Sequence, residues 1–148
     1  MTLTWKIKPF ETLSATELYE ILRLRSEVFV VEQNCVYQDV DGRDVQAVHV
    51  FGEFEGKVVA YARIFDKGFP YETASIGRVI VKQTARDQKL GRVLMEKAIA
   101  AVAERFLQTT ITISAQLYLQ KFYESLGFTA TSEMYLEDDI PHIEMVKR

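Results

Sequence analysis

The sequence predicts an α/β (α+β) fold, a mixed β-sheet with helices on its faces. Three observations predict it. Short segments rich in β-branched and aromatic residues alternate apolar and polar positions, as strands do. Between them lie segments whose apolar residues recur every three to four positions, as on a helix face. No segment repeats, and no Pro-, Gly- or Ser-rich linker divides the 148 residues, so one domain over 1–148 is expected.

The elements follow in order. Thr4 to Lys8 carries Trp5 and Ile7 on one face and reads as a strand that Pro9 ends. Ser14 with Glu17 three residues on forms a capping box, and Leu18, Ile21, Leu22 and Arg25 continue at helical spacing. Val28 to Val31 reads as a second short helix or turn, although its β-branched residues also suit a strand. Gln33 to Gln46, with Asp39, Asp41, Gly42 and Asp44, is a loop. Val48–Phe54 and Lys57–Phe65 form a hairpin around Glu55-Gly56. Lys67 to Tyr71 is a turn, and Ser75 to Val81 the next strand. A long helix from about Leu90 to Phe106 presents Leu94, Ala98, Ala101 and Val102 on one stripe. Thr110 to Ser114 is a strand. Leu119, Phe122, Tyr123 and Leu126 mark a helix face, with Gly127 as its terminator. Thr129–Tyr135 and His142–Val146 close the chain as strands about the acidic turn Glu137-Asp138-Asp139.

Composition narrows the function. Eighteen Lys and Arg against 21 Asp and Glu give a net charge of −3. That argues against a nucleic-acid partner and against a polybasic membrane anchor. No apolar run reaches membrane-spanning length, and Met1 to Phe10 is unlike a signal peptide, so a cytoplasmic setting is expected. The single cysteine, Cys35, excludes an intrachain disulfide and a zinc site built from cysteine pairs. Asp39, Asp41 and Asp44 lack the spacing and the downstream Glu of an EF-hand, so no metal is expected.

The richest stretch runs from Val79 to Arg92, a strand, a polar turn and a helix start. The first N–H groups of a helix lack internal partners and carry partial positive charge, which makes an anion site. Gly91 lets a phosphate approach the backbone, and Arg86, Lys89 and Arg92 add cations. Arg86-x-x-Lys89-x-Gly91 resembles motif A of the GNAT superfamily of N-acetyltransferases, with Lys89 in place of the first family glycine. Gln116, Leu119, Phe122-Tyr123 and Gly127-Phe128 resemble motif B. Leu24 to Cys35, Tyr37 to Gly42, Tyr61 to Ile64, Ile76 to Val81 and Ile140 to Ile143 resemble the ElaA-like acyltransferases, which also lack that glycine. The resemblance spans roughly Trp5 to Met145.

The resemblance implies a strongly twisted sheet that splays open in the middle, with helices on both faces and acetyl-CoA (or another acyl-CoA) in the splay. It implies that Val79, Ile80 and Val81 hold the pantetheine arm, that Asp87, Gln88, Lys89, Leu90, Gly91 and Arg92 offer N–H groups to the pyrophosphate, and that Arg86 and Gln116 also bind the cofactor. It implies direct attack of an amine on the thioester, with Tyr123 protonating the departing thiolate. A phenol with a pKa of about 10 keeps its proton for that task. Tyr123 also fits a purely apolar role in its helix stripe.

The base is open between His142 and Glu32, with Asp39, Asp41 and Glu144 behind them. Arg63 and Arg78, each in an apolar strand, either pair with Glu32, Asp39 or Asp41 as a structural network or, with Asp41, bind an acceptor bearing a carboxylate. Cys35 reads as a small hydrophobe rather than a nucleophile. The expected reaction is acyl transfer to a small-molecule primary amine. A non-catalytic acyl-CoA sensor, or acyl transfer in the manner of the acyl-homoserine lactone synthases, are the alternatives. The family admits a homodimer, and nothing in the sequence marks its interface.

Overall fold

The hairpin is where sequence and structure agree residue for residue. In the computed structural model, which describes Met1–Arg148, strands β2 (Val48–Phe54) and β3 (Lys57–Phe65) pair antiparallel. Glu55 and Gly56 connect them, both at positive φ (52° and 78°), which is the geometry a two-residue primed turn requires. Strand β1 (Thr4–Pro9) pairs with β2, and β4 (Ala74–Val81) with β3. Beyond β4 come β5 (Ile111–Gln116), β8 (Ile140–Lys147) and β6 (Thr129–Ala130), while β7 (Tyr135–Glu137) forms a hairpin with the start of β8. The resulting order is β1-β2-β3-β4-β5-β8-β6, all antiparallel except β4 with β5.

That one parallel contact is brief. Only Ala74↔Ile111 and Ser75↔Thr112 are in register. Past Ser75 the two strands part, and the β5-facing edge of Ile76 to Val81 has no strand partner. A bulge marks the same place. Gly77 faces Arg63 and Ile80 faces Tyr61, so β4 carries one residue more than β3 across this interval. Arg78 absorbs it with φ 51°.

The alternation of β2 and β3 builds two cores. Val50, Ala60, Ala62 and Ile64 face α2 (Leu90–Phe106), whose stripe of Leu94, Ala98, Ala101 and Val102 is buried as its spacing predicts. Phe51 and Tyr61 face Ile21 and Leu24 of α1 (Ala15–Arg25) on the other side. Helix α1 starts with both halves of its capping box made. Glu17 also accepts from Lys6 and Lys8. Burial opposes its charge, yet those bonds and the Ser14 N–H hold its carboxyl down to about 2.

Three expectations need correcting. Val28 to Val31 is helical as expected and not a strand, but it is a π-helical turn over Ser26–Glu32 that continues directly from α1. The third helix, α3 (Gln120–Glu124), is shorter than its stripe, with a 3₁₀ turn over Leu117–Leu119 before it. Thr129 to Tyr135 is not one strand. The Thr131 N–H donates to the Glu144 carbonyl, but Ser132 Oγ accepts the Glu144 N–H, so a side chain takes a ladder bond and the strand breaks into β6 and β7.

Helix α2 ends on Leu107, which has φ 57° and is 84% exposed. A non-glycine residue pays roughly 1–2 kcal/mol for that left-handed backbone. Leu107→Gly loses no packing, and glycine's unfolded-state entropy cancels part of the gain. The variant is expected to be more stable by about 0.5–1 kcal/mol in urea denaturation.

Candidate active site

The splay between β4 and β5 opens into a cavity of about 560 Å³. Its wall includes Val79, Ile80 and Val81 of β4, Arg86 of the following 3₁₀ turn, Gly91 of α2, Gln116 of β5 and Tyr123 of α3. Arg63, Arg78, Glu32 and His142 also line it. Asp87, Gln88, Lys89, Leu90, Arg92 and Asp41 lie outside the wall.

The helix start is shaped by Lys89, which takes φ 56° and turns the 3₁₀ segment Gln83–Gln88 into α2. The conformation that a glycine would adopt freely is therefore kept with a side chain in place. At Gly91 an added Cβ would meet only the Phe122 Cζ, at 3.8 Å. The packing of the chain itself therefore does not require glycine there. Two of the three expected cations are committed elsewhere. Arg86 donates from Nε to the Val81 carbonyl at 2.9 Å and clasps Glu32 with both Nη atoms, at 2.6 and 2.8 Å. Arg92 donates to Ser125 Oγ at 3.0 Å. Lys89 has no ion-pair partner.

Tyr123 is 5% exposed. Its ring meets Phe122 and Phe128 edge to face, at 5.1 and 6.0 Å. The chain past α3 explains its placement. Gly127, at φ 98°, lets the Phe128 N–H reach the Tyr123 carbonyl and its own N–H reach the Glu124 carbonyl, a Schellman ending. Phe128 then packs on Tyr123. The phenol oxygen has no hydrogen-bond partner in the chain and opens onto the cavity. Burial, with Tyr118 nearby, pushes its pKa well above 10, so it stays protonated.

His142 faces Gln116 across β5 and β8, and Tyr135 across β7 and β8. Its Nδ1 lies 2.7 Å from the Ile140 carbonyl and donates to it, so in the neutral ring Nε2 is the acceptor. Nε2 is 3.5 Å from Glu137 Oε2. Glu137 also accepts from Ser114 Oγ at 3.3 Å, and Ser114 is bonded to the Tyr135 hydroxyl. Ser114, Tyr135 and Glu137 were not expected here. An acidic turn reads as solvated, and nothing local shows that its hairpin folds back over β5.

The arginines form a network deeper in the wall. Arg63 donates from Nη1 to Asp41 at 2.9 Å and to Asp44 at 3.0 Å. Arg78 Nη2 donates to the Asp39 carbonyl at 3.1 Å. Its Nε lies 2.7 Å from Asp39 Oδ1, but that N–H points off the line, so the contact is an ion pair without a hydrogen bond. Arg25, fully buried, bonds Asp39 and Asp44, each at 2.7 Å. The network uses Asp39, Asp41 and Asp44 but not Glu32, which is the partner of Arg86. Cys35 lines the cavity, its Sγ 3.5 Å from the Asp138 carbonyl. No cluster of His, Cys, Asp or Glu suited to a metal occurs, and no helix is long and apolar enough to cross a membrane.

Comparison with known proteins matches residues 13–148 to an acetyltransferase (GNAT) domain. The protein ElaA of Escherichia coli is 42% identical over 145 residues, covering 97% of this chain and 95% of that one. Its crystal structure superposes with a TM-score of 0.93 at 40% identity, over 99% of this chain and all of the other. An acyl-CoA N-acyltransferase from Pseudomonas aeruginosa superposes with a TM-score of 0.95 at 44% identity, again over 99% and 100%.

Proposed function

We propose, because the chain belongs to the GNAT acetyltransferase family and is an acyltransferase, that it moves an acetyl group from acetyl-CoA to the primary amine of a small molecule. One observation carries this reading. A partnerless phenol and an imidazole anchored through Nδ1 line one cavity that runs along an unpaired strand edge to a helix N-terminus.

Acetyl-CoA would supply the activated acyl group. The N–H groups at the start of α2, with the open space at Gly91, would receive its pyrophosphate, and the Lys89 ammonium is the uncommitted cation beside them. The free edge of Val79 to Val81 offers backbone groups to the pantetheine arm, and an N–H there faces the charge that develops on the carbonyl oxygen. His142 Nε2 takes the proton of the amine. Tyr123 gives its proton to the thiolate. Glu32 is the weaker base, since both its oxygens are held by Arg86.

Titration with acetyl-CoA and with CoA, followed by thiol release against a panel of amines, tests this reading. Binding with release for one class of amine is expected, and absence of binding overturns it. Gly91→Ala sharpens the test. Its methyl group fits the fold and raises helix propensity by up to about 1 kcal/mol. It also enters the space reserved for phosphate, so acetyl-CoA affinity is expected to fall about tenfold while thermal stability holds or rises.

A further inference from the structure

The charges left over at the acceptor end of the cavity describe what the acceptor carries. Four guanidinium groups line the wall, and three are neutralised by the chain itself. Arg63 is held by Asp41 and Asp44, Arg78 by Asp39, and Arg86 by Glu32. The Arg43 guanidinium alone has no ion-pair partner, although its backbone N–H donates to Asp41 Oδ1 at 3.0 Å. It is exposed and lies over the Phe69 ring at 5.6 Å.

The acids complement it. Glu32 is neutralised, while Glu137 and Asp138 face the cavity with no Lys or Arg partner. Glu137 Oε2 and His142 Nε2 stand 3.5 Å apart, and with the His142 proton on Nδ1 both are acceptors. Two acceptors facing each other are satisfied by a cationic N–H donor between them. Tyr71 connects the two ends of this arrangement. It is half-buried in the same wall, and burial together with the charges of Tyr135, Glu137 and Glu144 raises its pKa while Arg43 opposes the rise.

The geometry points to a zwitterionic acceptor, a small amine that also bears a carboxylate, with its ammonium between Glu137 and His142 and its carboxylate on Arg43. This rests on the acetyl-transfer reading above. The chemistry balances. The ammonium passes one proton to His142 Nε2 and on to solvent. The amine nitrogen then bonds to the carbonyl carbon as the C–S bond breaks, and its second proton replaces the one Tyr123 gives the thiolate. The products are the N-acetyl amide, CoA thiol and one released proton. The amide has lost its positive charge, and with it the attraction of Glu137, so the site favours acceptor over product.

Thiol release tests the inference with α-amino acids and the ω-series from β-alanine to 6-aminohexanoate, each beside its methyl ester. The best carboxylate is expected to exceed its ester about tenfold or more in kcat/KM. Arg43→Gln is expected to collapse that ratio toward one by raising KM, and Arg43→Lys to restore part of it. Esters used as well as acids, a ratio that survives Arg43→Gln, or acetyl-CoA binding without release for any carboxylate-bearing amine would each overturn the zwitterion and leave the bound acetyl-CoA unexplained by it. Failure of acetyl-CoA to bind overturns acetyl transfer itself and the acceptor with it.

Discussion

Tyr123→Phe is expected to lower kcat by about 10²–10⁴-fold, the usual contribution of a positioned proton donor. The substitution isolates the hydroxyl. The ring keeps its contacts with Phe122 and Phe128 and its place above the Schellman turn. The hydroxyl has no partner in the chain, so its removal leaves no buried group unsatisfied, and stability should stay within about 0.5 kcal/mol. Acetyl-CoA affinity should hold, because the proposed placement puts the phosphates at the start of α2 and the phenol at the thioester. Steady-state kinetics with acetyl-CoA titration separates the roles. An unchanged kcat would make Tyr123 a packing residue only and would return the chain to the sensor alternative, which has no turnover to lose. Phe128→Ala is the natural companion, since it leaves the hydroxyl and loosens what positions it.

How far the site was readable in the sequence follows from the range of each interaction. The hairpin, the capping box and the α2 stripe depend on neighbours a few residues apart, and the sequence displays them directly. Gly127-Phe128 is local too, which is why the position of Tyr123 was legible. The pairings that decide charge are long-range. Arg86 meets Glu32 across 54 positions, and Arg25 meets Asp44 across 19. Arg25 read as one more residue of an amphipathic helix, because a helical arginine usually faces water. Arg78 stood out as a charge in an apolar strand, and pairing with Asp39 or Asp41 was one of its two readings, but alternation carries no sign of the bulge that inserts one residue there and reverses φ. The break at Ser132 was equally hidden, since a serine in an apolar–polar alternation looks like a strand's outward face. Each omission concerns a partner that only the folded sheet brings near.

Arg25→Leu is expected to destabilise the protein by about 3–5 kcal/mol, the cost of leaving buried charge unpaired. Arg25 is fully buried and donates to both Asp39 and Asp44, and its third bond reaches the Asp39 carbonyl. Its removal leaves Arg63 and Arg78 to hold three aspartates between them. The loop from Gln33 to Gln46 is anchored chiefly by this network, so loss of the anchor should reach the cavity wall as well as the global stability. His49 deepens the cost. It is buried between the Tyr61 hydroxyl, 2.6 Å from Nδ1, and the Asp44 carbonyl, 2.9 Å from Nε2, and burial lowers its pKa. A pH series tests the assignment apart from simple loss of packing. Burial alone would raise the Asp44 pKa, but its bonds to Arg25 and Arg63 outweigh that and keep it below the ordinary 3.8. A depressed carboxyl stabilises the fold above its unfolded pKa and loses that contribution as pH falls through the folded value. Wild-type stability should therefore decline as pH drops below about 4. In Arg25→Leu the burial cost is no longer outweighed to the same degree, so acidification should cost the variant less, and the gap between the two proteins should narrow. A gap independent of pH would assign Arg25 to packing rather than to charge.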